Sequence, residues 1–283
     1  MLTIDPKKIP VPQLHRILLG GVGPRPIAFA STVDGQGNRN LAPFSFFNVF
    51  SANPPVLIFS PARSGRTNTN KDTFHNILEV PEVVINVVTF DMVNQMSLAS
   101  SPYDKDVDEF VKSGFTPLAS QTVKPFRVKE SPVQFECNVF EVKELGKSGG
   151  AGNLIFCEVN TIHIDEAVLD HSNMIDQQKI DLVSRMGGNW YSRTTPTSMF
   201  EIDKPISSIG VGVDALPDSI RLSHFLSGND LGKLGTLGTL PTSTMIQELL
   251  KEFDGELSIE EAKNQLDQNN ISLAYAILVQ SEI

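Results

Sequence analysis

Ser60, Arg63, Ser64, Arg66 and Thr67 stand directly before a helix start at Asn70-Lys71-Asp72-Thr73. Hydroxyls and two guanidiniums thus gather where a strand hands over to a helix. The first backbone N–H groups of a helix lack intrahelical partners, and its dipole favours negative charge there, so the junction suits a phosphate. Lys71 brings charge, Thr73 a hydroxyl, and Arg66 a planar group able to make a bidentate contact. Asp72 opposes an anion unless its side chain turns away and its backbone alone serves. The same residues also fit an ordinary helix start with solvated charges.

A second group lies just upstream. Ser45, Phe46, Asn48 and Ser51 share one strand, with Ser45 and Phe47 on one face and Phe46 and Asn48 on the other. A flavin ring is flat and partly apolar, with imide and carbonyl groups along one edge. Amide and backbone hydrogen bonds beside an apolar wall suit it. An edge strand turning its polar residues to water has the same pattern. His163 shares a face with Ile155, Cys157 and Val159 by alternation, which points it inward. It is either a structural residue or a group beside a substrate or nicotinamide. Arg185 with Gly187-Gly188-Asn189-Trp190-Tyr191 either closes over a ring or forms a turn.

Other chemistries are poorly supported. Gly21-Val22-Gly23 opens no dinucleotide fingerprint, because Pro26 stands where its last Gly belongs. Gly146-Lys147-Ser148 lacks the upstream Gly of a P-loop, which is Glu141. Asp104, Asp106 and Asp108 begin like a calcium loop, but Glu109 and Phe115 replace its turn Gly and closing Glu. No HExxH or GxSxG occurs, and no metal is expected.

The elements that must hold these residues read as β-rich. Pro24–Thr32, Asn40–Phe50, Val56–Phe59 and Val83–Thr89 are strand-like, with an Asp34–Asn38 hairpin turn. Pro132–Lys147 and Leu154–Ile164 form a long ribbon around Ser148–Asn153. A phase flip from Val139 to Phe140 and Val142 predicts a β-bulge. Short helices are expected over Lys71–Glu79 (capped by Asn70), from Asp91 to about Ala99, and from Asp106 to near Gly114. Near the C-terminus, Thr244 with Gln247 and Ser258 with Glu261 suggest capping boxes, and Ser272–Gln280 a last apolar helix. Six strands at hairpin spacing favour an antiparallel barrel over a parallel sheet.

The 283 residues give room for one large domain or one domain plus an appendage, and 40% apolar residues can build a sizeable core. No apolar run reaches membrane-span length, and MLTIDPKKIP has no signal-peptide core. Cys137 and Cys157 form no metal pattern. These features point to a cytoplasmic chain with reduced thiols and no membrane partner. The net charge of −10 argues against nucleic acid. Residues 205–283 hold 4 basic and 11 acidic residues, against 19 and 22 in residues 1–204. A boundary is therefore expected at Lys204–Pro205, between a barrel domain (1–204) and an acidic, partly helical extension (205–283).

Taken together, PRPIAFAST, NLAPFSFFNVFSANPPVLIF, KDTFHNI, VVINVV, DVDEF…SGF and VNTIHID resemble, in order and spacing from about Gly23 to Tyr191, the flavin reductase-like family of FMN-binding split barrels. The resemblance implies a mainly β (α+β) six-stranded antiparallel split barrel with peripheral helices. It implies a homodimer with FMN at or near the subunit interface. Carried over by position, the ring contacts are Ser45, Phe46, Asn48 and Ser51. The phosphate contacts are Ser60, Arg66, Lys71, Asp72 (through its backbone) and Thr73. Asn86 lies on the strand beside the cofactor, and His163 near the nicotinamide side. Many family reductases have Asn-Ser where this chain has Ser45-Phe46. The implied activity is hydride transfer from NADH or NADPH to FMN, with no obligatory acid or base and with reduced flavin or an acceptor protein taking the electrons. Alternatives are an FMN-holding electron carrier without nicotinamide turnover and a ligand-free interaction protein. A pyridoxamine-phosphate-oxidase-type enzyme matches the local motifs less well.

Overall fold

The structure, a computed structural model, describes residues 1–202 and 209–281. The chain divides into two compact units, Met1–Phe200 and Glu201–Ile283. The composition boundary at Lys204–Pro205 lies outside the described residues.

The first unit opens with α1 (Val11–Gly21), then β1 (Ala28–Val33), β2 (Arg39–Phe44), β3 (Phe47–Ala52) and β4 (Pro55–Phe59). Next come α2 (Asp72–Glu79), β5 (Glu82–Asn86), α3 (Val93–Leu98), α4 (Glu109–Ser113) and a short ladder of β6 (Pro117–Leu118) with β7 (Arg127–Val128). The long β8 (Val133–Glu144) and β9 (Asn153–Ile164) follow, with a second short ladder of β10 (Val183–Arg185) and β11 (Tyr191–Arg193).

The main sheet runs β2-β1-β5-β8-β9-β4-β3, and every pairing is antiparallel. Its two edges, β2 and β3, are consecutive in the chain and joined only by Ser45-Phe46. A flat sheet of this width would hold its edges about 29 Å apart, at about 4.8 Å per strand. The link spans at most about 11 Å, so the sheet must curl until its edges approach. This break also corrects the expected strand count. Asn40–Phe50 is two strands, not one, which makes seven in the main sheet where six were expected. Apolar residues run on through the bend (Leu41, Phe44, Phe47), so nothing in the pattern marks the switch of edge.

The predicted bulge is present. Pairing slips between Val139 and Glu141, leaving Phe140 extra and exposed while Val139 and Val142 both reach the core. That core joins Phe59, Ile85, Ile155 and both cysteines to Phe74 and Ile77 of α2. A second core lies outside it, where Phe29 and Leu41 meet Met92, Met96 and Phe110 beside α3 and α4. All six residues of β1 are buried as a result. A further slip, between Glu136 and Cys137, was not foreseen.

Several helix starts differ by a residue or two. Lys71, not Asn70, is the N-cap of α2, because the Asn70 side chain accepts a hydrogen bond from Asn153 Nδ2 at 3.0 Å. A 3-10 turn at Phe90–Met92 precedes α3, and no side chain caps that helix. Asp108, not Asp106, caps α4, which ends as expected at Gly114 in the left-handed region.

The second unit packs α5 (Asp218–Arg221), α6 (Gly228–Leu234), α7 (Ser243–Lys251), α8 (Ile259–Asp267) and α9 (Ile271–Gln280) around Ile220, Leu234, Leu266 and Ile277. Ser258 caps α8 as expected, but Thr242, not Thr244, caps α7. The capping box at the start of α6, Ser227 with Asp230, was not foreseen. No described helix is long and apolar enough to cross a membrane.

Candidate functional site

The first turn of α2 is fixed from below by polar side chains. Asn40 Nδ2 donates to Thr73 Oγ1 at 2.9 Å and to Thr32 Oγ1 at 3.2 Å. Asn76 Nδ2 also donates to Thr32. Thr73 therefore accepts from Asn40 and keeps its own hydroxyl hydrogen to give. No side chain caps the helix. Lys71, Asp72 and Thr73 at its start line a cavity of about 690 Å3.

The loop before α2 shapes one wall of that cavity. Ser64 N–H donates to the Thr69 carbonyl, and Ser64 Oγ accepts from the amides of Arg66 and Thr67. Arg63 is consumed by this fold-back, donating to Asn68 and lying 3.9 Å from Glu144. The β8–β9 turn supports the loop closely enough that a Cβ on Gly149 would sit 2.9 Å from the Ser64 carbonyl. Arg66 and Lys71 line the cavity, and among the described residues neither pairs with a carboxylate. Ala42, Pro43 and Phe44 of β2 form an apolar wall, and Ser100, Ser101 and Tyr103 stand at another side.

Besides Asp72, a second carboxylate intrudes. Glu109, at the start of α4, lines the same cavity and accepts from the Leu41 amide at 3.0 Å. Burial raises its pKa, and nearby Asp72 and Asp108 add to the rise. A smaller cavity of about 330 Å3 lies beside Arg39, Asp108 and Phe126, but Arg39 is already committed to Asp108.

The model of the flavin reductase like domain matches residues 21–180, more than half of the chain. This chain belongs to the flavin reductase-like family. It is 34% identical over 208 residues to an uncharacterized protein of Halalkalibacterium halodurans, covering 73% of this chain and 98% of the relative. Its fold is similar to nitrilotriacetate monooxygenase component B from Bacillus cereus, at TM-score 0.67 and 27% identity over 71% of this chain and 98% of that one. It is also similar to a Shewanella frigidimarina protein described as a flavin reductase with a split barrel domain. That match has TM-score 0.60 and 25% identity, over 70% of this chain and 96% of the other.

Of the residues picked from the sequence, this cavity gathers Ser64, Arg66, Thr67, Asn70, Lys71, Asp72 and Thr73. Ser45 and Phe46 form the link between the sheet edges, and Asn48 is exposed on β3 with its Oδ1 accepting from the Val49 amide. Ser51 follows a register slip in that strand. None of these four lines the cavity. Ser60 is buried with its Oγ against Gly152. Asn86 is fully buried and committed at both ends, donating to the Phe29 carbonyl and accepting from the Val128 amide, each at 2.9 Å.

His163 does not join Ile155 and Cys157 in the core. Its Nε2 lies 2.7 Å from buried Glu136, beneath the Gln121–Thr122 loop. The inward placement holds, since the side chain is only 18% exposed, but past Val159 that face of β9 leaves the apolar core and meets a polar loop, with Thr161 Oγ1 3.4 Å from Thr122 Oγ1. The Gly-aromatic segment is a turn, with Gly188 at φ 57°, Trp190 N–H bonded to the Gly187 carbonyl, and the Arg185 guanidinium 4.5 Å from the Tyr191 ring centre.

Sequence reading missed Asn40, Tyr103 and Glu109. Asn40 could be suspected from its place opposite the helix start. Glu109 read only as part of an acidic helix start, because its approach to β2 depends on the tertiary fold.

Proposed function

We propose that this protein binds FMN in the α2 cavity and acts as an oxidoreductase that moves hydride from NADH or NADPH to the flavin. The observation that supports it most is the uncapped start of α2, opening into the cavity beside two cations without carboxylate partners. A helix N-terminus with Lys and Arg at its rim offers a phosphate N–H donors, charge and bidentate geometry together. Thr73 adds a donor held in place by Asn40. When bound, FMN supplies the hydride chemistry, and the protein's part is to anchor and orient. Arg66, Lys71, Thr73 and the Asp72 backbone hold the phosphate, with the Asp72 carboxylate turned from it, and Ala42–Phe44 flank the ring.

The reading includes a second copy of the chain. β3 is exposed along most of its length, with Val49 at 63% and Phe50 at 64%. An apolar edge strand left open invites pairing or cover. A homodimer closed there brings Ser45, Phe46, Asn48 and Ser51 to the interface, where they contact the ring. The two free, buried thiols suit the cytoplasm.

The test is titration of the purified protein with FMN, followed by flavin absorbance and fluorescence. Charge-assisted hydrogen bonds contribute about 1.5–3 kcal/mol each. Lys71→Ala with Arg66→Ala should therefore weaken FMN binding by about a hundredfold or more, and leave the melting temperature nearly unchanged because both side chains are exposed. Unchanged affinity removes the phosphate site.

A second reading, an FMN-holding electron carrier without nicotinamide turnover, is favoured by one observation: Glu136 occupies the His163 ring nitrogen expected near nicotinamide. Steady-state oxidation of NADH and NADPH with added FMN separates the two. No turnover by a protein whose flavin is still reduced by dithionite selects the carrier, which passes its electrons to an acceptor protein.

A further inference from the structure

A carboxylate in a cavity read as an anion site needs a reason. Glu109 has no cation within ion-pair distance among the described residues. The described hydrogen bond to its carboxylate comes from the Leu41 amide at 3.0 Å. That bond ties it to the protein, yet a carboxylate has about four acceptor sites. Glu109 lines the cavity, within electrostatic reach of Asp72 at the first turn of α2.

Two carboxylates lining one cavity repel an anion between them, but they are strong acceptors for hydroxyl groups. The cavity therefore has two kinds of end. Arg66, Lys71 and the α2 amides suit a phosphate, and Glu109 with Asp72 suits neutral O–H donors. The covalent order of FMN matches that polarity, since its phosphate is joined directly to a chain of three hydroxyls that leads to the ring.

We infer that Glu109 is a positioning residue that reads the hydroxylated chain of the flavin and so makes the cavity selective for ribityl-bearing ligands over the bare ring. The inference rests on the FMN reading above. It gives Glu109 a task that helix capping does not, because Asp108 already caps α4 through the Phe110 amide. It also accounts for a half-buried acid kept within electrostatic reach of Asp72.

The experiment measures binding of FMN, riboflavin and lumiflavin to the full chain by quenching of flavin fluorescence. These ligands carry phosphate and hydroxyls, hydroxyls alone, and neither. Glu109→Leu should weaken FMN and riboflavin by the same factor, at least about tenfold, and leave lumiflavin unchanged. Equal loss for all three ligands, or no loss for riboflavin, overturns the assignment. Glu109→Gln keeps the volume and fold and reads the same contrast at lower amplitude. If Glu109→Leu does not fold, loss of riboflavin but not lumiflavin affinity in Glu109→Gln supports the assignment, and an unchanged ratio overturns it. Lys71→Ala is the independent control. It should weaken FMN and spare riboflavin, and its failure alone removes the phosphate site without touching Glu109. If the wild-type chain binds none of the three flavins, both readings fall.

Discussion

Glu136 offers a quantitative check on the part of the barrel that holds His163. Its side chain is fully buried. The carboxylate accepts from the Gln121 amide at 2.8 Å, the Thr122 amide and hydroxyl at 2.6 Å each, and His163 Nε2 at 2.7 Å, with Arg127 Nε 3.7 Å away. Burial pushes its pKa up. The hydrogen bonds from Thr122, Gln121 and His163 outweigh that and hold it at about 2, against an ordinary 4.5. At about 1.36 kcal/mol per pH unit, that gap amounts to about 3 kcal/mol. The folded value lies below the unfolded one. The stabilisation is therefore complete above about pH 4.5 and is lost as pH falls towards 2. Glu136→Gln removes the charge and keeps the shape. Urea unfolding followed through Trp190, the single tryptophan and a residue of the barrel unit, should find the variant about 3 kcal/mol less stable at pH 7. At pH 3 the difference should shrink to about 1.5 kcal/mol. A difference of the same size at both pH values refutes the reasoning, because the loss would then owe nothing to the charge. His163→Ala should narrow the wild-type pH dependence while leaving FMN affinity intact; a large loss of affinity would return His163 to the ligand.

Two other outcomes follow from buried polar and sulfur groups. Asn86→Ala leaves the Phe29 carbonyl and Val128 amide without their partner in a fully buried setting, and should cost about 3 kcal/mol in thermal or urea unfolding. Burial pushes the Cys137 and Cys157 thiols well up, so neither should react with a thiol reagent in the native state at pH 8, and both should react rapidly in denaturant.

Local pattern carried far in some places and failed in others for identifiable reasons. The Pro132–Lys147 and Leu154–Ile164 ribbon and its bulge were legible because alternation and its phase flip are written in neighbouring residues. The helix start at Lys71–Thr73 was legible because helix starts have their own chemistry. The break at Ser45-Phe46 was not, since the apolar run continues through it and only the sheet order shows two edges there. α1 was missed because its Gly-Gly end and leading prolines break the helical pattern, and none of its residues is buried. Asn86 and His163 illustrate a general difficulty: a polar residue on a strand looks the same whether it awaits a ligand or answers a backbone group far along the chain. Glu109 is the converse case, an ordinary helix acid that becomes distinctive once β2 lies beside it.

The ladder order also constrains how the chain can reach this state. The β1–β2 and β3–β4 hairpins are built from near neighbours, but β4 enters the sheet through β9, where Val56 meets Glu158, and β1 enters through β5 and β8. During synthesis the edge of β1 therefore waits only for β5, whereas the adhesive edge of β4 finds its berth only after β9, ending at Ile164, has left the ribosome. A nascent chain stalled before that point offers a natural substrate for chaperones.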